Sequence, residues 1–210
     1  MKSQRKLSKA EEKRLSIFNQ INTDLLSKGY IKKELIGDLL KANIIGPLYG
    51  LIVSLPFIVL YFVLKIYSFN IGENYFSNYM LFIVFFIILI VAHELIHGIT
   101  WASFTKDKFK NIEFGIIWKS LNPYCTCKVP LKESEYILGL IMPCIILGII
   151  PSLISLFNAN AWFFAMGIIQ ILSAGGDLYI LKMILDNKNN NECLYLDHPT
   201  DIGVVKFEKE

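Results

Sequence analysis

Four apolar stretches of about 20 residues constrain this chain more than any other feature, since each can cross a hydrocarbon core of roughly 30 Å at 1.5 Å per helical residue. They run from about Ile44 to Ile66, Tyr79 to Trp101, Tyr136 to Phe157 and Ala161 to Leu185. Lipid offers backbone N–H and C=O groups no partners, so each stretch is expected to be a transmembrane helix. The composition agrees: 54% of the 210 residues are hydrophobic and 19% charged, with a mean hydropathy of +0.47. These values argue against a water-soluble domain, and disorder, collagen and a disulfide-stapled secreted domain are excluded as well. The expected fold is an all-α, multi-pass bundle of four transmembrane helices, residues 44–185, between a basic segment, 1–43, and a tail, 186–210.

Orientation follows from Lys and Arg, which favour cytoplasmic loops. Residues 1–43 hold ten of the 21 and residues 102–135 six more, while the connections at 67–78 and 158–160 hold none. The tail adds Lys188, Lys206 and Lys209. Both termini are therefore expected in the cytoplasm and the protein in the cell membrane. A signal peptide fits poorly, because 43 residues precede the first apolar run and no small-residue cleavage pattern follows it. The net charge of +3 gives no reason to invoke nucleic acid.

The flanking segments carry weaker patterns. Ile17, Phe18, Ile21, Leu25 and Leu26 recur at helical spacing up to a stop at Lys28-Gly29, and a second stripe follows at Ile31, Leu35, Ile36 and Leu39. Two short amphipathic helices lying on the membrane are expected, as a plain leader packed on the bundle or as a docking element. Between the second and third spans, Ile112, Phe114 and Ile116 alternate with other residues, and Asn122-Pro123 precedes Tyr124-Cys125-Thr126-Cys127. That pattern suggests a short β-hairpin beside the cytoplasmic mouth, either a connecting loop or an edge for an extended peptide. Cys125, Cys127, Cys144 and Cys193 lack the usual C-x-x-C spacing and are expected as free thiols. Trp101, Trp118 and Trp162, with Tyr79 and Tyr136, fall near span ends, where interfacial anchoring accounts for them.

Ionisable residues deep in a membrane are costly and point to function. Four stand well inside the apolar stretches: His93, Glu94, His97 and Asp177. Three of them form His93-Glu94-Leu95-Ile96-His97, an H-E-x-x-H pattern. On a helix, positions i and i+4 share a face, so both imidazoles can reach one zinc ion while the glutamate projects beside them towards a metal-bound water. Without a metal, three buried polar side chains would have to repay their own desolvation. A catalytic zinc usually takes a third protein ligand. Asp177 is the only other carboxylate inside a span, and it lies at matching depth: about 24 Å down the fourth span against about 21 Å for His93. His198, in Asp197-His198-Pro199, is the alternative if the tail folds back. Gln170, Ser173 and Asp177 lie on one helical face at i, i+3 and i+7, and Ala174, Gly175 and Gly176 are small enough to let another helix approach closely, so that face is expected to pack on the second span.

At these residues the sequence resembles the zincin peptidase family of bacterial membrane proteins, from about Ile31 to the C-terminus. The resemblance is carried by Ala92-His93-Glu94-Leu95-Ile96-His97-Gly98, Pro143, Gly176-Asp177-Leu178 and Asp197-His198-Pro199-Thr200. It is more distantly similar to the site-2 proteases, which place H-E-x-x-H on one transmembrane helix and an aspartate ligand on a later one. Here Gly-Gly-Asp-Leu stands where those proteins typically have Asn-Pro-x-Asp-Gly or Leu-Asp-Gly. The resemblance implies one zinc ion on His93, His97 and Asp177, with Glu94 as general base and acid on a zinc-bound water. The expected activity is hydrolysis of a peptide bond in a peptide or membrane-protein substrate near the cytoplasmic face, with Asn122 and Tyr124 as candidate substrate or oxyanion contacts. The alternative is a zinc-binding membrane protein that cleaves nothing and serves as an accessory, interaction or metal-sensing component.

Overall fold

The computed structural model describes residues 7–65, 75–117, 122–158 and 160–209. Helix α1 (Lys9–Ser27) begins in a capping box, in which Glu11 N–H donates to Ser8 Oγ and Ser8 N–H donates to the Glu11 carboxylate. It ends at Gly29, whose φ of +84° lets the chain turn out of the helix. The next stripe is not a second amphipathic helix. Ile31–Ile36 form strand β1, which pairs antiparallel with β6 (Gly203–Lys209) so that Leu35 lies opposite Val204. An Ile31/Leu35 spacing fits one face of a helix, but the pairing partner lies some 170 residues further along the chain, and long-range pairing overrides a six-residue pattern.

Helices α2 (Leu39–Lys65) and α3 (Tyr75–Phe104) follow, and the hairpin of β2 (Ile112–Ile117) and β3 (Asn122–Cys127) succeeds them, as the alternation predicts. A short β4 (Leu131–Lys132) leads into α4 (Glu133–Pro143), which continues through a π-helical stretch, Cys144–Ile149, into α5 (Ile150–Asn158). Among the described residues, three helical spans are long and apolar enough to cross a membrane: Lys41–Leu64, Ile83–Phe104 and Glu133–Phe157. The fourth is broken. Helices α6 (Ala161–Ser173) and α7 (Gly175–Asp186) meet at Ala174 with a bend of 44°, so the chain has four spans if the bent pair counts as one.

Small residues at the break pack against α2, not α3. A Cβ on Gly175 would lie 2.4 Å from the backbone of Gly46, and one on Gly46 would lie 2.8 Å from the carbonyl oxygen of Gly175. The two backbones touch because neither carries a side chain there. Gln170 is buried and Ser173 exposed, so the polar face expected along a straight fourth span does not persist through the bend.

The fold is therefore not all-α. Strand β5 (Glu192–Asp197) completes an antiparallel sheet in the order β1-β6-β5-β4. One face, with Leu35, Tyr195 and Val204, packs on Trp101, Tyr136 and Ile184 at the end of the helical bundle. The other, with Leu196, Val205 and Phe207, packs on Phe18 and Leu25 of α1. This cap of α1 and sheet draws strands from before the first span, before the third and after the fourth. All three strand segments consequently lie at one end of the bundle.

Candidate metal centre

The H-E-x-x-H residues sit in the last third of α3, where two elements close over them. The hairpin lies on one side: a Cβ on Gly98 would collide with the ring of Phe114 at 2.4 Å and approach Ile112 at 3.2 Å. Helix α4 lies on another, with Gly139 so close to Trp101 that an added Cβ would fall 2.0 Å from the indole nitrogen. His93 and His97 are buried and Glu94 half-buried.

Asp177 arrives from the break in the fourth span. Because the chain restarts a helix at Gly175, Asp177 occupies the first turn of α7, where the unpaired N–H groups and dipole of a helix N-terminus favour a carboxylate. Its Oδ2 lies 3.1 Å from His93 Nε2 and 3.5 Å from His97 Nε2. Ligand atoms on a tetrahedral zinc with bonds near 2.0–2.1 Å are about 3.3–3.4 Å apart. The three donors, all within 4.8 Å of one another, can hold a metal ion. Asp177 keeps 21% of its side-chain surface exposed against 5% for His97, so the group opens on the side of α7.

The orientation of His97 has a cause in α4. Its Nδ1 lies 2.8 Å from the carbonyl oxygen of Gly139, which can only accept, so Nδ1 carries the proton and Nε2 is left with its lone pair facing Asp177. That carbonyl is free because the residue four positions on is Pro143, which has no N–H to give it. The other ring face of His97 stacks on Trp101 at 5.2 Å, and Trp101 stacks on Tyr136 at 5.4 Å while its indole N–H donates to the Tyr136 carbonyl at 3.2 Å. Trp101 is 3% exposed and Tyr136 1%, so both are buried supports and not interfacial anchors. Trp162, 40% exposed, keeps a position compatible with an anchor; Trp118 and the side chain of Tyr79 lie outside the described residues.

Glu94 shares a face of α3 with Gly98, one turn further on, and so faces the hairpin. Among the other expected residues, Tyr124 does not reach the group. Cys125 and Cys127 pair with Phe114 and Ile112 and so share their α3-facing side, which turns Tyr124 to the opposite face, under the guanidinium of Arg14 at 4.5 Å. Burial raises the Tyr124 phenol above its usual range, a further step away from a ready proton donor. The side chain of Asn122 lies outside the described part of the structure. His198 is also elsewhere: its Nδ1 accepts the backbone N–H of Asp201 at 2.9 Å in the turn between β5 and β6. The four cysteines are free, and burial pushes the Cys127 thiol up to about 12.

A family profile described as "Putative zincin peptidase" matches residues 86–191, half of the chain. The chain belongs to that family. The matched region of this zincin-family chain begins within α3 and ends before β5, so it takes in His93, Glu94, His97, Pro143 and Asp177 but leaves out the cap strands β1, β5 and β6. The name implies zinc and a metallopeptidase. No curated protein and no solved structure matches the chain.

One residue that sequence reasoning assigned no role stands out. Asp197 was visible only as part of Asp197-His198-Pro199-Thr200; its neighbours in space are Thr126, Cys127 and Tyr136. No spacing in the sequence connects these residues.

Proposed function

We propose that the chain is a membrane-embedded zinc metallopeptidase that hydrolyses peptide bonds near the face of the membrane carrying the cap, the cytoplasmic face by its Lys and Arg. His93, His97 and Asp177 would hold one zinc ion. Bound there, zinc supplies a Lewis acid that polarises a carbonyl and lowers the pKa of water. Glu94, beside the two histidines but outside the three-donor group, takes the proton of the attacking water and returns it to the leaving amine. The Gly139 carbonyl keeps His97 in the tautomer that leaves Nε2 free to bind.

The observation that carries this reading is the convergence of His93 Nε2 and His97 Nε2 on Asp177 Oδ2 across 84 residues of chain, at ligand spacing, within apolar spans. Three such groups meeting in hydrocarbon need a cation to repay their desolvation. The substrate class is an extended peptide segment. Cys127 N–H points away from β2, so strand parity turns the carbonyls of Pro123 and Cys125 to that same outer edge, beside Glu94, where a peptide backbone can pair.

The test is to purify wild type and Glu94→Gln in detergent, measure bound zinc and follow cleavage of candidate peptides and membrane proteins. Equal zinc with cleavage by wild type alone supports the peptidase. Equal zinc with identical cellular phenotypes sinks it, and leaves a zinc-binding accessory or sensing protein.

A further inference from the structure

Away from the three-donor group, a second carboxylate is enclosed at a junction of three elements. Asp197 ends β5, and both of its oxygens accept hydrogen bonds. Oδ2 takes the Thr126 hydroxyl at 2.6 Å and the Cys127 backbone N–H at 3.1 Å, and Oδ1 takes the Tyr136 hydroxyl. The N–H can only donate and both hydroxyls are able to, so an ionised carboxylate can accept from all three. Burial raises the acid above the usual aspartate range, while the three donors pull the other way. The junction therefore costs something to keep, and a simple strand end would not need it.

Both arms of the junction lead to the candidate metal centre. Thr126 and Cys127 fix the outer edge of β3, and its hairpin lies on α3 with Phe114 and Ile112 against Gly98, one helical turn from Glu94. Tyr136 stacks on Trp101, and Trp101 on His97. The tail thus reaches Glu94 through one strand and His97 through two rings, without touching either. Other contacts of the hairpin, Phe114 on Gly98 and Arg14 on Tyr124, grip its faces; Asp197 grips its outer edge.

We propose that Asp197 is a positioning residue for Glu94: by tying β3 to the C-terminal sheet, it holds the hairpin down on the face of α3 that Glu94 shares with Gly98. The inference rests on the reading of Glu94 as the proton-transferring residue, and it deepens that reading by giving the tail a role in the site.

The thiols of Cys125 and Cys127 report docking of the hairpin without any substrate. The full chain, purified in detergent and loaded with zinc, is treated with N-ethylmaleimide, and labelling of each cysteine is followed by mass spectrometry. In wild type both hairpin thiols label slowly, being packed against α3. In Asp197→Ala both should label about tenfold faster or more, the scale of losing hydrogen bonds to a charged group. Cys144 and Cys193 should be unchanged and zinc content equal. Asp197→Asn, which keeps one acceptor oxygen, should fall between, and Thr126→Val should show a smaller effect of the same kind. With a cleavable peptide, Asp197→Ala should lower kcat at unchanged KM. Glu94→Gln should abolish cleavage with both thiols still protected.

Protection of Cys125 and Cys127 persisting in Asp197→Ala overturns the proposal. So does simultaneous opening of all four thiols in both Asp197→Ala and Thr126→Val, which would mean general loss of structure. If wild type cleaves no peptide while the hairpin thiols respond as stated, the peptidase reading fails and the tie between tail and hairpin stands.

Discussion

In the cap, Val204, Val205 and Phe207 are fully buried, whereas along α2 and α3 residues such as Leu51, Ile52, Val59, Ile87 and Ile88 point outward with about half or more of their surface free. Both regions are rich in the same side chains. In water, the cap gains by hiding them, so its strands alternate and each face finds a partner layer. Apolar surface gains nothing by leaving lipid, so helices apolar enough to cross a bilayer have to be held by close fit instead: Gly46 on Gly175, and Gly139 under Trp101. The candidate metal centre lies where these two modes of packing meet. His97 is fixed by the bundle, through Gly139, and Glu94 faces the hairpin that Asp197 joins to the cap.

If the two regions are held differently, they should fail differently. The largest effect belongs to the cap. Phe207→Ala removes a ring packed between Phe18, Leu196 and Val205 and should cost about 3–5 kcal/mol of cap stability. Because that face looks to α1, zinc affinity measured by competition with a chelator should change little. A loss of zinc together with the cap would show that the two regions are one cooperative unit.

Gly139→Ala should give the reverse pattern. Its Cβ meets the indole of Trp101, which has no free space, so α4 and α3 must part at a cost of about 1–3 kcal/mol. His97 then loses its carbonyl partner, and zinc affinity should fall while the cap, followed by hydrogen exchange of β5 and β6, stays protected.

Smaller still is Pro143→Ala, which restores an N–H that competes with His97 for the Gly139 carbonyl. Zinc affinity should drop by about tenfold, the low end for removing a hydrogen bond that orients a ligand, with no loss of thermal stability. Unchanged zinc affinity would mean that the proline's missing N–H does nothing for His97.

The smallest effect is a pH dependence at the seam. Asp197 is raised by burial, so between the ordinary aspartate value of about 3.9 and its own higher one the native state keeps a proton that the unfolded chain releases. Stability is therefore fully present below the ordinary value and lost as pH rises through the raised one. Thermal melts of wild type should lose ground to Asp197→Asn across that window and run parallel above it.

Much of the bundle was legible in the sequence because its signals are local. A run of apolar residues, an i, i+4 pair of histidines and an alternation such as Ile112, Phe114, Ile116 each declare themselves within a few turns of chain. The cap was less so. Ile31–Ile36 carries a spacing that suits a helix equally well, and only Val204 across the sheet decides that it is a strand. Trp101 and Tyr136 stand where interfacial aromatics stand, and the sheet that covers them comes from the far end of the chain. The fourth span reads as one helix, since Ser173-Ala174-Gly175-Gly176 is compatible both with a straight helix and with a bend against Gly46.

By itself, the sequence marked the stretches long and apolar enough to cross a membrane and put His93, Glu94 and His97 on one helix, since each of these follows from a pattern along the chain. Depth in the bilayer brought Asp177 to the right layer as well, but not to the right distance. Only the tertiary structure decided that Asp177 Oδ2 meets both imidazoles, that the carbonyl left open by Pro143 is taken by His97, and that Asp197 joins the tail to the hairpin. Those relations span tens of residues and depend on direction as well as position. A side chain's neighbours across the fold, which no spacing along the chain encodes, settle what it can do.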